Sequence, residues 1–177
     1  MNRADLFSVP VFWGDIDPQK IIFKKFEVRY KFFSNTKTLR GTITPEAERY
    51  LLETLDKILT PHVGPMKITV NDVWENIYSK GDFEDAHIHP GSQMSFVIYK
   101  KGMTNTVLYA PYRYLNEHSV RSTPVSRLYP WYVIPPMKVG QILIFPSFIE
   151  HMVKKAEVDS GTISGDLMIK KVAHEPH

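Results

Sequence analysis

The chain has 177 residues, 43% of them hydrophobic and 23% charged, with 22 basic against 19 acidic side chains, a net charge of +3 and a pI near 9.0. That length suits a single domain, and the mild, scattered charge carries no basic run of the kind that marks a nucleic-acid tail. The absence of cysteine excludes disulfides, thiol nucleophiles and thiolate-held metals, so any metal must rest on His, Asp and Glu.

In chain order, LFSVPVFW (6–13) is too short an apolar run for a signal peptide or membrane span, and Pro10 interrupts it. It reads as an extended edge segment, because proline cannot donate to an inner ladder. A cytosolic location is the default expectation, with no membrane partner. IIFKKFEVRYKFF (21–33) alternates loosely and predicts a strand. Thr44 is a candidate N-cap and Pro45 suits the first helical position. Leu51, Leu52, Leu55, Ile58 and Leu59 then recur at helical spacing, so a helix is expected over 45–59, stopped by Thr60-Pro61.

From residue 66 onward the pattern is β. Segments 66–79, 92–101, 105–111, 130–136, 141–147, 151–158 and 162–172 are short apolar or alternating runs broken by Gly, Pro, Asn and Asp. Together they predict a mainly β domain, an antiparallel double-stranded β-helix or jelly roll with one helix outside. The expected organisation is a single domain over 1–177, with N-terminal strands and helix in 1–65 and the core in 66–177. The polar stretch 112–129 is long for a compact domain and reads as a lid, binding loop or partner contact. Tyr112, Arg113, Tyr114, Arg121, Arg127 and Trp131 are of the types enriched at interfaces.

The chemistry concentrates in GDFEDAHIHPGS (81–92). Strand alternation sends His87 and His89 to one face, half of a metal site. His151, in GQILIFPSFIEHMV, is the candidate third ligand, and three protein ligands with open positions suit a catalytic metal. Gly81 followed by His87 and His89, and Gly140 followed by Pro146 and His151, match most of two cupin motifs. Gln93 falls where cupins often carry a Glu ligand, and Phe148 stands where they carry glycine. His62, His118, His174 and His177 read as solvent-facing.

Three segments, LFSVPVFWGD, VWENIYSKGDFEDAHIHPGSQMSFVIY and GQILIFPSFIEHMV with TISGDL, resemble a group of 2-oxoglutarate/Fe(II) oxygenases common in marine bacteria and their phages. The resemblance implies Fe(II) on His87 and His151, with His89 at the position where the wider superfamily has Asp or Glu. It also implies 2-oxoglutarate as cosubstrate, its decarboxylation coupled to hydroxylation of a small-molecule or protein substrate. Asp85 shares the strand parity of His87 and His89, which makes it a better auxiliary carboxylate than Glu84. Ser95 matches the group's Ser-Gly pair, but Phe96 replaces the glycine and is expected to fill cosubstrate space. The group's arginine, in an Arg-Ile-Ser-Ile-Ser pattern, grips the distal carboxylate of 2-oxoglutarate. The matching position here is Thr162, which leaves Lys170 or Lys100 as substitute cations, and the group's final Asn is lost near Leu167.

Two other readings stand beside the oxygenase. One is a catalytically degenerate jelly roll without cofactors, serving an assembly such as a phage virion through other virion proteins or self-association. The other is a 2-oxoglutarate-independent cupin metalloenzyme.

Overall fold

The structure is a computed structural model that describes residues 8–30, 36–114 and 123–171. Its strands are β1 (Phe12–Asp15), β2 (Phe23–Tyr30), β3 (Lys37–Ile43), β4 (Met66–Tyr78), β5 (Glu84–His87) and β6 (Met94–Lys101), followed by β7 (Thr106–Tyr109), β8 (Tyr132–Val133), β9 (Gln141–Pro146), β10 (His151–Val153) and β11 (Ser160–Lys171). They form two antiparallel sheets. The larger runs β1-β9-β6-β11-β4-β3-β2 and the smaller β5-β10-β7-β8. This is the jelly roll expected from the alternating runs, with one helix, α1 (Pro45–Val63), on its outside.

Helix α1 begins as its sequence dictates. The Thr44 side chain accepts from the Ala47 N–H, and Pro45 occupies the first turn, where its missing N–H costs nothing. Thr60-Pro61 does not stop it, contrary to the expected end at residue 59. Pro61 lies inside the last turn, where the single lost hydrogen bond is tolerated, and the helix runs on to Gly64 at φ +79°. Leu51, Leu55 and Leu59 are fully buried against Val73, Ile98, Ile142, Ile144, Ile163 and Leu167 of the large sheet.

A second core lies on the opposite face of that sheet, where Val97, Tyr99, Leu143 and Phe145 meet Leu108, Met137 and Ile149. Strand alternation thus divides each central strand between two environments. Ile163 and Leu167 face the helix, while Thr162 and Ser164 face the space between the sheets. Phe96 stands with the helix-side set, and its ring packs over Gly165, its direct cross-strand neighbour. The residue also borders the inner space, between Ser95 and Val97. A Cβ at Gly165 would lie 2.5 Å from both the Phe96 ring and the Asp72 carbonyl.

Strand β3 has no counterpart among the sequence expectations. Its inward residue Thr38 is polar, fully buried, and donates to Asn76 Oδ1 at 2.9 Å, so no apolar alternation advertises it. Tyr78 and Tyr99 extend the polar seam. The Tyr99 hydroxyl donates to Thr106 Oγ1, and the Tyr78 hydroxyl is bonded to Glu84, Thr162 and Asn76. Burial raises both phenols, Tyr99 to about 12 and Tyr78 further still.

Two outcomes follow from this packing. Gly165→Ala should lower stability by about 1–3 kcal/mol in urea unfolding, because one of the clashing atoms is backbone and cannot step aside. Below pH 10 both states keep the two phenolic protons. Above it only the unfolded chain releases them, so stability should fall by about 1.4 kcal/mol per pH unit for each tyrosine. Urea melts at pH 9 and pH 11 measure that fall, and an unchanged midpoint would mean that the phenols are not sequestered.

Candidate metal centre

The pairing of β5 with β10 builds the site. His87 lies directly opposite His151, and Glu84 lies opposite Val153. Two residues of β5 therefore face one residue of β10, a bulge that reverses the strand's parity between Glu84 and His87. The consequence corrects the choice of auxiliary carboxylate. Asp85 points outward and is exposed, whereas Glu84 is buried, with Oε1 3.8 Å from His87 Nε2.

His89 follows just beyond β5, its N–H bonded to the Ser147 carbonyl. The three imidazoles of His87, His89 and His151 converge with ring centroids 4.3 to 5.1 Å apart. One nitrogen from each lies within 4.8 Å of the others, a cluster that can hold one metal ion. Each Nδ1 has its own partner: the Asp85 carbonyl for His87 (2.7 Å), the Ile149 carbonyl for His151 (2.9 Å) and Asp166 Oδ1 for His89 (2.6 Å). These acceptors put the proton on Nδ1 and the lone pair on Nε2, the arrangement metal-binding histidines adopt. The donor set thus fits a borderline cation such as Fe(II). Trp74 against His89 and Phe145 against His151 hold the rings in place.

Asp166 was not among the residues singled out from sequence, where it registered only as the end of an altered Arg-Ile-Ser-Ile-Ser pattern. Its Oδ1 also accepts from Ser95 Oγ, which meets Ser147 Oγ at 2.9 Å. Ser95 therefore braces the carboxylate behind His89. The negative charge that a carboxylate ligand would bring lies further out, on Asp166, hydrogen-bonded to the Nδ1–H of the third imidazole. The other candidates lie elsewhere. Gln93 accepts from the Ile169 N–H and pins β11 to the loop before β6. Lys170 is exposed, opposite Lys67 at the far end of β11. Lys100 pairs with Glu75 at 2.7 Å on the helix-facing side of the sheet.

The centre separates two spaces. Inward lies a small cavity of about 20 Å³, lined by His89, His151, Glu84, Tyr78, Asn76 and Ser164, with room for about one water. Outward lies an open cleft of about 560 Å³, lined by His87, Ile88, Tyr109, Arg113, Tyr114, Phe148 and Glu150. Arg113 pairs with Glu150 at 2.5 Å and stacks on Tyr109. Of the expected partner-contact residues, Arg113 and Tyr114 line this cleft, Tyr112 is exposed nearby, and the Trp131 carbonyl accepts from the Ala110 N–H. Arg121 and the Arg127 side chain lie outside the described residues, as do His118, His174 and His177, while His62 is exposed beside Phe12.

A jelly roll with a histidine cluster between its sheets defines a class shared by many non-haem iron enzymes. Residues 72–165 match the family described as "Putative 2OG-Fe(II) oxygenase", and the chain belongs to that family. Solved structures share the fold at low identity. An oxidoreductase of the 2OG-Fe(II) oxygenase family from Burkholderia pseudomallei aligns with TM-score 0.54 and 11% identity, over 81% of this chain and 72% of that one. A Pseudomonas putida prolyl-4-hydroxylase gives 0.53 and 13%, over 85% and 79%. HygX from Streptomyces hygroscopicus, solved with nickel, 2-oxoglutarate and hygromycin B, gives 0.52 and 10%, over 80% and 73%. No curated protein matches the sequence significantly. No helix among the described residues is long and apolar enough to cross a membrane.

The family implies Fe(II) and 2-oxoglutarate. The metal fits the donors, but the cosubstrate does not fit the inner cavity. At the position of the group's arginine stands Thr162, buried and bonded to Tyr78, and among the described residues no Lys or Arg lines the cavity.

The carboxylate behind His89 makes a measurable difference. Asp166→Asn should weaken Co(II) binding about 10- to 100-fold in calorimetric titration, the usual cost of losing such a support. Equal affinity in the variant would assign Asp166 to folding alone.

Proposed function

We propose that the protein is a mononuclear ferrous-iron oxygenase whose iron is held by His87, His89 and His151 and whose substrate enters through the outer cleft. The observation that carries this reading is the convergence of three imidazole nitrogens within 4.8 Å, each ring already oriented by an Nδ1 acceptor. Family membership agrees with it. The scaffold reading, with virion partners, has no observation of its own to favour it.

Ferrous iron in such a site supplies activation of dioxygen. The protein's own residues do the rest. Asp85 and Ile149 carbonyls and the Asp166 carboxylate fix the three rings, so metal binding needs little reorganisation. His151 is buried and His87 is half-buried beside the cleft, which gives access from that side. Tyr109, Tyr114 and Phe148 form aromatic walls able to hold an organic substrate beside His87. The internally neutralised Arg113–Glu150 pair offers that substrate both a donor and an acceptor at the cleft wall.

Anaerobic Fe(II) titration followed by thermal unfolding tests the reading. Saturation at about one hundred times the dissociation constant should add about 2.7 kcal/mol of stability. A chelator should reverse the gain, and His151→Ala should abolish it. A wild-type protein that unfolds identically with and without Fe(II), Co(II) or Ni(II) would rule the metal centre out.

A further inference from the structure

The inner cavity contains a buried carboxylate beside the histidines. Glu84 is 6% exposed, and its Oε2 accepts from the Tyr78 hydroxyl at 3.2 Å. Tyr78 is in turn bonded to Thr162, the residue at the arginine position of the resembling group. Where that group has a cation awaiting a foreign carboxylate, this chain has a neutral hydroxyl, a tyrosine and a carboxylate of its own. The same carboxylate approaches the metal cluster, its Oε1 3.8 Å from His87 Nε2.

We propose that Glu84 supplies the anionic ligand on the inward side of the metal, and that this centre therefore binds its metal without 2-oxoglutarate. The inference rests on the metal reading above and goes beyond it, since it assigns the remaining inner coordination position. Three physical considerations support it. Metal–ligand bonds of about 2.0–2.2 Å place neighbouring donors about 3 Å apart, and Glu84, outside the three-histidine group itself, has its Oε1 3.8 Å from His87 Nε2. A carboxylate suits a divalent metal held by three neutral imidazoles, which bring no negative charge of their own. On the inward side a dicarboxylic keto acid would lie against Glu84 in a cavity of about 20 Å³, where no Lys or Arg among the described residues offsets the repulsion.

The β5 bulge is what makes this possible. Without it Glu84 and His87, three positions apart, would face opposite sides of the strand. The Tyr78 hydroxyl, itself held by Thr162 and Asn76, then orients the carboxylate toward the histidines. Tyr78 is in this sense a positioning residue for Glu84.

The test uses Co(II) as probe under anaerobic conditions, with calorimetry for affinity and visible absorption for the ligand field. For the wild-type protein, saturating 2-oxoglutarate should change neither the Co(II) dissociation constant nor the spectrum. Glu84→Gln should weaken Co(II) about tenfold or more and alter the spectrum, with the metal-free circular dichroism unchanged. A tightening of Co(II) by 2-oxoglutarate, or a new band that needs both, would overturn the proposal while leaving the three-histidine site intact. So would a Glu84→Gln protein that binds Co(II) as the wild type does. If Glu84→Gln does not fold, the wild-type arm still decides. Absence of any Co(II) binding by the wild type would remove the metal reading, and this proposal with it.

Discussion

The antiparallel contact between β5 and β10 is the constraint on which the site depends. It places His87 across from His151, and its bulge turns Glu84 inward beside them. His89, one step past the strand, is held by the Ser147 carbonyl and by Asp166 from β11 of the large sheet. The centre is therefore a clamp between the two sheets. Neither sheet assembles it alone, and the stability of the jelly roll is the source of its pre-organisation.

That stability comes from two cores of different character. The helix-side core is wholly apolar, with Leu51, Leu55 and Leu59 sealing the outer face of the large sheet. The core between the sheets is mixed. It is apolar where Val97, Leu143 and Phe145 meet Leu108, and polar where Thr38, Asn76, Thr162, Tyr78 and Glu84 satisfy one another. Buried polar networks of this kind persist only when each group finds a partner. Here the partners converge on the metal side, which ties the polar half of the core to the site.

The departures from the resembling group are mutually consistent when taken in pairs. That group has Gly and Ile where this chain has Phe96 and Gly165, and these two face each other across β6 and β11. Likewise, the arginine missing at Thr162 is matched by the presence of Glu84 in the same polar network. The serine that ends the group's pattern is Asp166, which returns negative charge to a site whose third ligand is an imidazole.

The sequence by itself determined the mainly β class, the start of α1 at Thr44-Pro45, most of the strands from residue 66 onward, and the choice of His87, His89 and His151. Each is a local signal: a cap, a period of two, a pair of histidines at strand spacing. The end of α1 was misread because a proline in a last turn costs little when buried leucines precede it. Strand β3 was invisible because its inward residue Thr38 is polar. Glu84, Asp166 and the two-sided cavity were decided only by tertiary structure. A bulge depends on the partner strand, and the 2.6 Å bond from His89 to Asp166 spans 77 residues. Parity rules read one strand at a time, whereas the inner surface of a jelly roll is defined by how two sheets close on each other.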